Sequence, residues 1–319
     1  MKKNYYQYIR GLCILSVLLI HTLFVTDNVY LDSFNIILRR VINFTVPIFI
    51  FLAGYFVKYD NWKEFYKKKV KRILVPLCLW KIIYGIVTIK FKKISISLII
   101  KSICLDGFHL YYLIVLFTLV LLTPIIIKYI NNSKNKVITY FPLFITFIYN
   151  FFITIYCINY NKILPCYNYY VFGWFSYYYL GLLFKYKKIE NSNSKLLLYY
   201  ILCLAISIAE GLVLYIIFNS YDLAASQITM SNFLYCMILC FVIKSMDSKT
   251  VKNSIIVEFD NYSYGIYLSH IVVLMIIRKI MNIYHINYFL NITITYVLLV
   301  FIMYLISYVY YNKIKKVKH

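Results

Sequence analysis

Glycine and proline are scarce, at 8 and 5 residues in a chain of 319. A membrane-spanning barrel alternates short strands with turns, and so few turn-formers beside long apolar runs point to helices instead. Charge is equally thin: Asp, Glu, Lys and Arg make up 14% of the chain. No soluble domain of this length has 63% hydrophobic residues and a mean hydropathy of +0.74. Acidic residues are the rarest charged class, 11 against 34 Lys and Arg, for a net charge of +23. The cations punctuate apolar runs rather than forming one stripe, which excludes a nucleic-acid binder. No cysteine spacing suits a metal ion. Cys13, Cys78, Cys104, Cys157, Cys203, Cys236 and Cys240 lie in apolar runs and read as small hydrophobes. Only Cys166 reads as exposed, and a Cys157–Cys166 disulfide is the minor alternative. The first apolar run ends in Val25-Thr26-Asp27 with no small-residue cleavage site, so it is expected to be an uncleaved span. There is no fixed-period repeat and no low-complexity linker.

What the chain does have is a series of apolar runs. Ten spans are expected, at 8–26, 37–57, 73–90, 110–127, 138–158, 168–184, 196–218, 228–244, 262–281 and 288–310. The fold class is therefore all-α: a polytopic membrane protein, with residues 1–319 forming one integral domain. The apolar segment Ile94 to Cys104 is too short to cross and is expected to be surface-lying or re-entrant. With the N-terminus in the cytoplasm, the inner segments hold 24 of the 34 basic residues, and ten spans bring the C-terminus back to the same side.

The first span carries two residues foreign to lipid, Arg10 and His21. Eleven positions at ~100° each bring both side chains to nearly one face, ~16 Å apart along the axis. A cation near the inner surface and an imidazole in the outer half of the membrane make an intramembrane site the first hypothesis. Hydrocarbon favours the uncharged ring, and a neutral imidazole is a general base. Taken alone, Arg10 is also explained as a snorkelling anchor, and His21 as an inter-helix hydrogen bond.

Lys67, Lys68, Lys69, Lys71 and Arg72 crowd the start of the third span. Anionic lipid headgroups account for such a cluster; so does a phosphate-rich ligand held by the Arg72 fork. Phe108-His109-Leu110-Tyr111-Tyr112-Leu113 opens the fourth span, where belt aromatics are normal, so His109 and Tyr112 are belt or site. Tyr267 and His270 share a helical face. Glu210 is the only acid read inside an expected span, and must be paired, protonated or facing water. Glu258 and Asp260 read as inner-surface residues.

These residues fall into a pattern. Arg10-Gly11 with His21 resembles the arginine, ten residues, histidine motif of the acyltransferase-3 family of integral membrane acyltransferases. Val46-Pro47-Ile48-Phe49 with Phe51-Leu52-Ala53-Gly54-Tyr55 is similar to its Val-Pro-x-Phe and Ser-Gly-Tyr signature, with Ala53 for serine. Lys69-x-x-Arg72-Ile73-x-x-Pro76 resembles its basic pair, where arginine at both positions is commoner. His109-Leu110-Tyr111-Tyr112-Leu113 resembles its His-Leu-Trp-Phe-Leu. Tyr179-Leu180-Gly181 and Ser263-Tyr264-Gly265-Ile266-Tyr267-Leu268-x-His270 resemble later landmarks, so the likeness runs in order from 10 to 270.

The resemblance implies O-acyl transfer, usually of acetyl, from a cytoplasmic acyl-coenzyme A to a hydroxyl of an extracytoplasmic or lipid-linked glycan, in the cytoplasmic membrane. Acyl-CoA is then a co-substrate and no cofactor is permanently bound. Arg10, Lys69 and Arg72 would meet the coenzyme phosphates. His21, with Arg10 in the catalytic pair, would act as base or transient acyl carrier. His109, Tyr112, Tyr267, His270 and Glu210 would lie on the acceptor side. The expected partners are acyl-CoA, a glycan acceptor and the bilayer. A glycan or lipid flippase, a proton-coupled carrier using Glu210 and His21, and a structural subunit of a polysaccharide machine are the competing readings.

Overall fold

The computed structural model describes residues 5–26, 28–59, 61–89, 108–160, 164–187, 194–247, 249–252, 254–284 and 286–310. Among them there is helix and no strand. Among the described residues, twelve α-helices have eight residues or more: α1 (Tyr5–Thr22), α2 (Val29–Ile42), α3 (Thr45–Tyr55), α4 (Trp62–Lys69), α5 (Val75–Ile89), α6 (Tyr111–Asn132), α7 (Ile145–Tyr160), α8 (Phe175–Tyr186), α9 (Leu196–Phe218), α10 (Met230–Ser245), α11 (Ile255–Met281) and α12 (Tyr288–Val309).

The ten expected spans do not map one to one onto these helices: 37–57 runs across α2 and α3, and 138–158 begins ahead of α7. Among the described residues, six stretches are long and apolar enough to cross a membrane: Val29–Tyr55, Tyr111–Asn132, Lys136–Tyr160, Leu196–Phe218, Ile255–Met281 and Tyr288–Val309. Helices α1, α5, α8 and α10 are shorter or less apolar. The segment Ile94 to Cys104 lies outside the described residues. Apolar side chains point outward along α9 and α12, among them Ile206, Val213, Ile216, Val297 and Phe301, as on a surface bathed in lipid. Cys157 and Cys166 are both free thiols rather than a disulfide, and Cys78 joins Cys166 among the exposed cysteines.

Asparagine supplies the helix starts. The side-chain oxygens of Asn28, Asn61 and Asn287 accept backbone N–H groups at the starts of α2, α4 and α12. Asn219 ends α9 in the left-handed region at φ 47°, its N–H donating to the Tyr215 carbonyl at 2.8 Å. Between α4 and α5, residues Val70–Leu74 form a π-helical turn, with the Val75 N–H on the Val70 carbonyl. Pro76 explains it. The proline lacks the N–H that would bond the Arg72 carbonyl, and its ring crowds that oxygen, so the helix widens by one residue.

The chain forms two compact units. The first joins both ends of the sequence, residues 1–45 and 246–319; the second comprises Val46–Ser245. In the first, α1 packs chiefly on α11, and α11 on α12. Arg10 meets Asp260 and His21 meets His270, so α1 and α11 run parallel. Helix α12 runs back, with the Tyr304 hydroxyl on Glu258 and Tyr288 beside Phe24. The start of α1 and the end of α12 therefore lie at one end of this unit.

In the second unit α3 and α8 meet backbone to backbone. A Cβ on Gly54 would stand 2.3 Å from the Tyr178 carbonyl oxygen, and one on Gly181 would stand 2.2 Å from that of Phe51. These are the glycines of Phe51-Leu52-Ala53-Gly54-Tyr55 and Tyr179-Leu180-Gly181, so both signatures have a packing cause. A 2.7 Å hydrogen bond between Thr123 and Tyr178 hydroxyls ties α6 to α8. The C-terminal ends of α3, α6, α8 and α10 gather at one end: Lys185 donates to the Val57 carbonyl, Lys187 to that of Ser133 at 2.8 Å, and Lys244 to the Tyr55 hydroxyl at 3.0 Å. Ammonium groups there complement the helix dipoles.

Gly181→Ala is expected to lower stability by about 3 kcal/mol, because rigid backbone is what a methyl group meets. Gly265→Ala, which would meet nothing within 4 Å, should leave the thermal midpoint in detergent unchanged or raised. Equal midpoints for the two variants would remove the close-packing argument.

Candidate functional site

In the first unit the site is built on the seam between α1 and α11. Gly11 sets its spacing, since a Cβ there would fall 1.9 Å from the Ile256 carbonyl oxygen. That approach lets the Arg10 fork grip Asp260, Nε to Oδ1 at 2.6 Å and the terminal nitrogen to Oδ2 at 2.8 Å. Asp260 is 7% exposed and Arg10 31%. The guanidinium that the sequence suggests for coenzyme phosphates is thus engaged by a carboxylate of its own unit. The reason is the helix start. Helix α11 begins at Ile255 rather than near 262, with the Ser254 carbonyl accepting the Val257 and Glu258 N–H groups. Glu258 and Asp260 therefore sit inside the helix, and Glu210 is not the only acid in a spanning segment.

From this ion pair both helices rise in step. His21 lies eleven residues beyond Arg10 and His270 ten beyond Asp260, and their rings face each other with centroids 5.0 Å apart at 51°. His270 is fully buried, and its Nδ1 lies 3.0 Å from the Ile266 carbonyl and 2.8 Å from that of Tyr267. Carbonyls only accept, so Nδ1 carries the proton of the neutral ring and Nε2 its lone pair. The buried Tyr267 ring stands 6.1 Å from His270.

His21 is half-buried in the last turn of α1, not deep within a continuing helix. The Thr22 hydroxyl turns back to the Leu19 carbonyl at 2.8 Å. Arg278, near the end of α11, donates to the His21 carbonyl at 2.8 Å while its guanidinium lies 6.0 Å from the Phe24 ring. It fixes the helix end that carries the imidazole.

The second unit holds the other expected residues, at separate places. Lys69 ends α4 and the exposed Arg72 lies in the π-helical turn. Both lie outside the membrane-spanning segments. Burial, and then the neighbouring Arg72 charge, push the Lys69 ammonium below the usual lysine range. Its Nζ lies 5.4 Å from the Phe65 ring. His109 is 3% exposed, edge-on to Tyr84 with centroids 5.4 Å apart, so it is a packed residue rather than an interfacial belt residue. Tyr112 packs beside Phe49. Glu210 on α9 accepts a hydrogen bond from the Ser231 hydroxyl on α10.

Arg40, Asp260 and Arg278 were not singled out by sequence reasoning. Asp260 had a signal: the Asp260–His270 spacing nearly matches Arg10–His21, as two parallel helices with paired groups require. Arg40, fully buried in α2, had none, because an arginine near a helix end reads as an anchor. No group of three or more His, Cys, Asp or Glu able to hold a metal ion occurs among the described residues.

Asp260→Ala should cost about 2 kcal/mol, less than for a fully buried pair because Arg10 is partly exposed. The double variant Arg10→Met with Asp260→Leu should recover most of the thermal midpoint. A double variant as unstable as the sum of the singles would show that the pair is not the source of the loss.

Comparison with known proteins agrees with the motifs. Residues 3–312 match the acyltransferase domain of the acyltransferase-3 family. A probable poly-beta-1,6-N-acetyl-D-glucosamine export protein of Staphylococcus aureus strain Mu50 is 25% identical over 279 residues, covering 82% of this chain and 78% of that protein. Proteins of the same description from strains MW2 and N315 show the same identity and coverage. No solved structure matches the chain. With nearly the whole sequence inside one family, this chain belongs to the acyltransferase-3 family and is a multi-pass membrane acyltransferase.

Proposed function

We propose that the protein transfers an acetyl group from a cytoplasmic acyl-coenzyme A to a hydroxyl of a cell-envelope glycan, with His21 as the general base. The observation that carries this reading is the facing pair His21 and His270, held by packed helices in a chain of an acyltransferase family. A sugar hydroxyl has a pKa far above neutrality, so its attack on a thioester needs a base at the oxygen. In the step proposed, His21 takes the hydroxyl proton and the oxygen adds to the thioester carbonyl. The tetrahedral intermediate then expels the coenzyme thiolate, which takes a proton. His270 orients the His21 ring, and Tyr267 donates to the developing oxyanion. Transient acylation of His21 is the covalent variant of the same route.

Arg72 and Lys69 are the groups assigned to the donor phosphates. An exposed guanidinium on a π-helical turn presents its fork outward, and Lys69 adds a point charge. Arg10 is assigned a different part: it braces α1 so that His21 keeps its register on α11. His109, Tyr112 and Glu210 remain assigned to the acceptor side. A glycan acceptor is supported by the description of the staphylococcal relatives, and the lysine-rich end of the second unit is assigned to the cytoplasm by the positive-inside rule. By the same rule both termini are assigned to the cytoplasm, and the protein to the cytoplasmic membrane.

A second reading, glycan export without acyl transfer, is favoured by the word export in the relatives' description. Release of free coenzyme A thiol decides between them: membranes given acetyl-CoA and acceptor release thiol only if acyl transfer occurs. His21→Ala at matched expression should lower that rate at least about a hundredfold, the scale of losing a general base; wild-type rates would refute the assignment. Arg72→Ala should raise KM for acetyl-CoA about tenfold with little effect on acceptor dependence. The reverse pattern would move Arg72 to the acceptor.

A further inference from the structure

Between Asp106 and Glu190 the sequence contains no acidic residue, yet it carries seven lysines. Two of these, Lys128 in the last turns of α6 and Lys134 in the turn after it, line an open cleft of about 610 Å³ in the second unit. Asn132 and Asn135 add carboxamide groups at its mouth, and Ile125 and Ile138 form its apolar wall. Ile125 is 68% exposed and Ile138 51%. The neighbouring Val137 and Phe141 are also exposed, so this face is apolar well beyond the cleft.

The positive-inside rule alone would accept loose lysines on a slack turn. This turn is not slack. The Tyr129 hydroxyl donates to the Ile138 carbonyl at 2.7 Å and bridges the cleft floor. Ser133 and Thr139 hydroxyls bond at 2.7 Å, and the Tyr179 hydroxyl takes the Thr139 carbonyl at 2.7 Å. Lys187 is committed to the Ser133 carbonyl, which leaves Lys128 and Lys134 to flank the opening. Asn135 caps the short helix Lys136–Tyr140, accepting from the Val137 N–H at 2.8 Å. The lysines thus stand on a preformed frame, which lowers the ordering cost of binding.

The lining selects the ligand. Two ammonium groups and two carboxamides, with no carboxylate among the lining residues described, suit a phosphate. A phosphate could come from a nucleotide or from a lipid. The apolar wall decides between them: Tyr111–Asn132 is long and apolar enough to cross a membrane, so its last turns stand at headgroup depth, and Ile125 and Ile138 face the acyl region. We propose that this cleft is a binding site for an anionic phospholipid, its phosphate between Lys128 and Lys134 and its glycerol and upper acyl carbons against Ile125 and Ile138. The assignment is independent of the acyl-transfer reading.

The test is native mass spectrometry of the full chain released from nanodiscs of phosphatidylglycerol and phosphatidylcholine in equal parts. One phosphatidylglycerol should be retained, and Lys128→Gln with Lys134→Gln should lower its occupancy on the order of tenfold. Both lysines are exposed, so the substitutions should leave the thermal midpoint unchanged. Lys249→Gln with Lys252→Gln, exposed lysines of the other unit, should have no effect. Tyr129→Phe, which keeps both charges but unlocks the frame, should weaken retention about threefold, on the scale of one neutral hydrogen bond. Equal retention of both lipids, equal loss in the Lys249 and Lys252 control, or displacement of phosphatidylglycerol by added coenzyme A would overturn the assignment; the last would give the cleft to a nucleotide.

Discussion

The first unit depends on one ion pair. Arg10 and Asp260 lie on two different helices, and Asp260 sits in a stretch apolar enough to cross a membrane, where an isolated carboxylate is disfavoured. Arg10 balances it, and the two-point grip of a guanidinium on a carboxylate leaves little freedom in angle or height. Gly11 brings the helices close enough for that grip. Once it is made, register follows. Parallel helices have the same rise, so groups ten and eleven residues further on arrive at similar heights, and His21 comes to His270. Arg278 then closes the far end by holding the carbonyl of His21 itself. The backbone that carries the imidazole is thus held at one end by Arg10 on Asp260 and at the other by Arg278.

The second unit sets helix register by other means. Gly54 and Gly181 put backbone against backbone, and hydroxyl pairs such as Thr123 with Tyr178 supply direction. At the end where four helices finish, lysines stand on carbonyl groups that would otherwise lack donors. The π-helical turn before Pro76 belongs to this economy of caps and closures: one residue is added to a turn, and Arg72 is carried on the widened surface. The two units thus hold different groups on different kinds of frame, imidazoles on an ionic seam and exposed cations on a helix distortion.

Much of this was legible in the residues. The apolar runs mark where the helices lie, because burial in lipid leaves a compositional trace. The Arg10 to His21 spacing places both on one face, and the structure puts His21 beside His270 through that face. The glycines of the Tyr55 and Tyr179 motifs stand out as pattern, and the coordinates supply their cause. Other features left no readable trace. Asp260 reads as a surface acid because the start of α11 at Ile255 is set by a backbone carbonyl rather than by a side-chain cap. His109 stays open between belt and site in the sequence because burial of a helix-start histidine depends on Tyr84, 25 positions earlier. The extent of α2 was hidden by Asp32, a polar residue that is 2% exposed and accepts from Thr26. Long-range partnership is what a single sequence conceals.

The pairing of the first helix with the penultimate one also sets an order of events during biosynthesis. Arg10 and Asp260 are 250 positions apart. At a synthesis rate on the order of 5–20 residues per second, the arginine waits roughly ten to fifty seconds for its acid. Through that interval the ribosome is still producing Val46–Ser245, the second compact unit. A lone guanidinium survives that wait by reaching for the headgroups on a flexible stem. The imidazole of His21 is consequently among the first groups made and the last to be set in place, because His270, which faces it, is made only after Val46–Ser245.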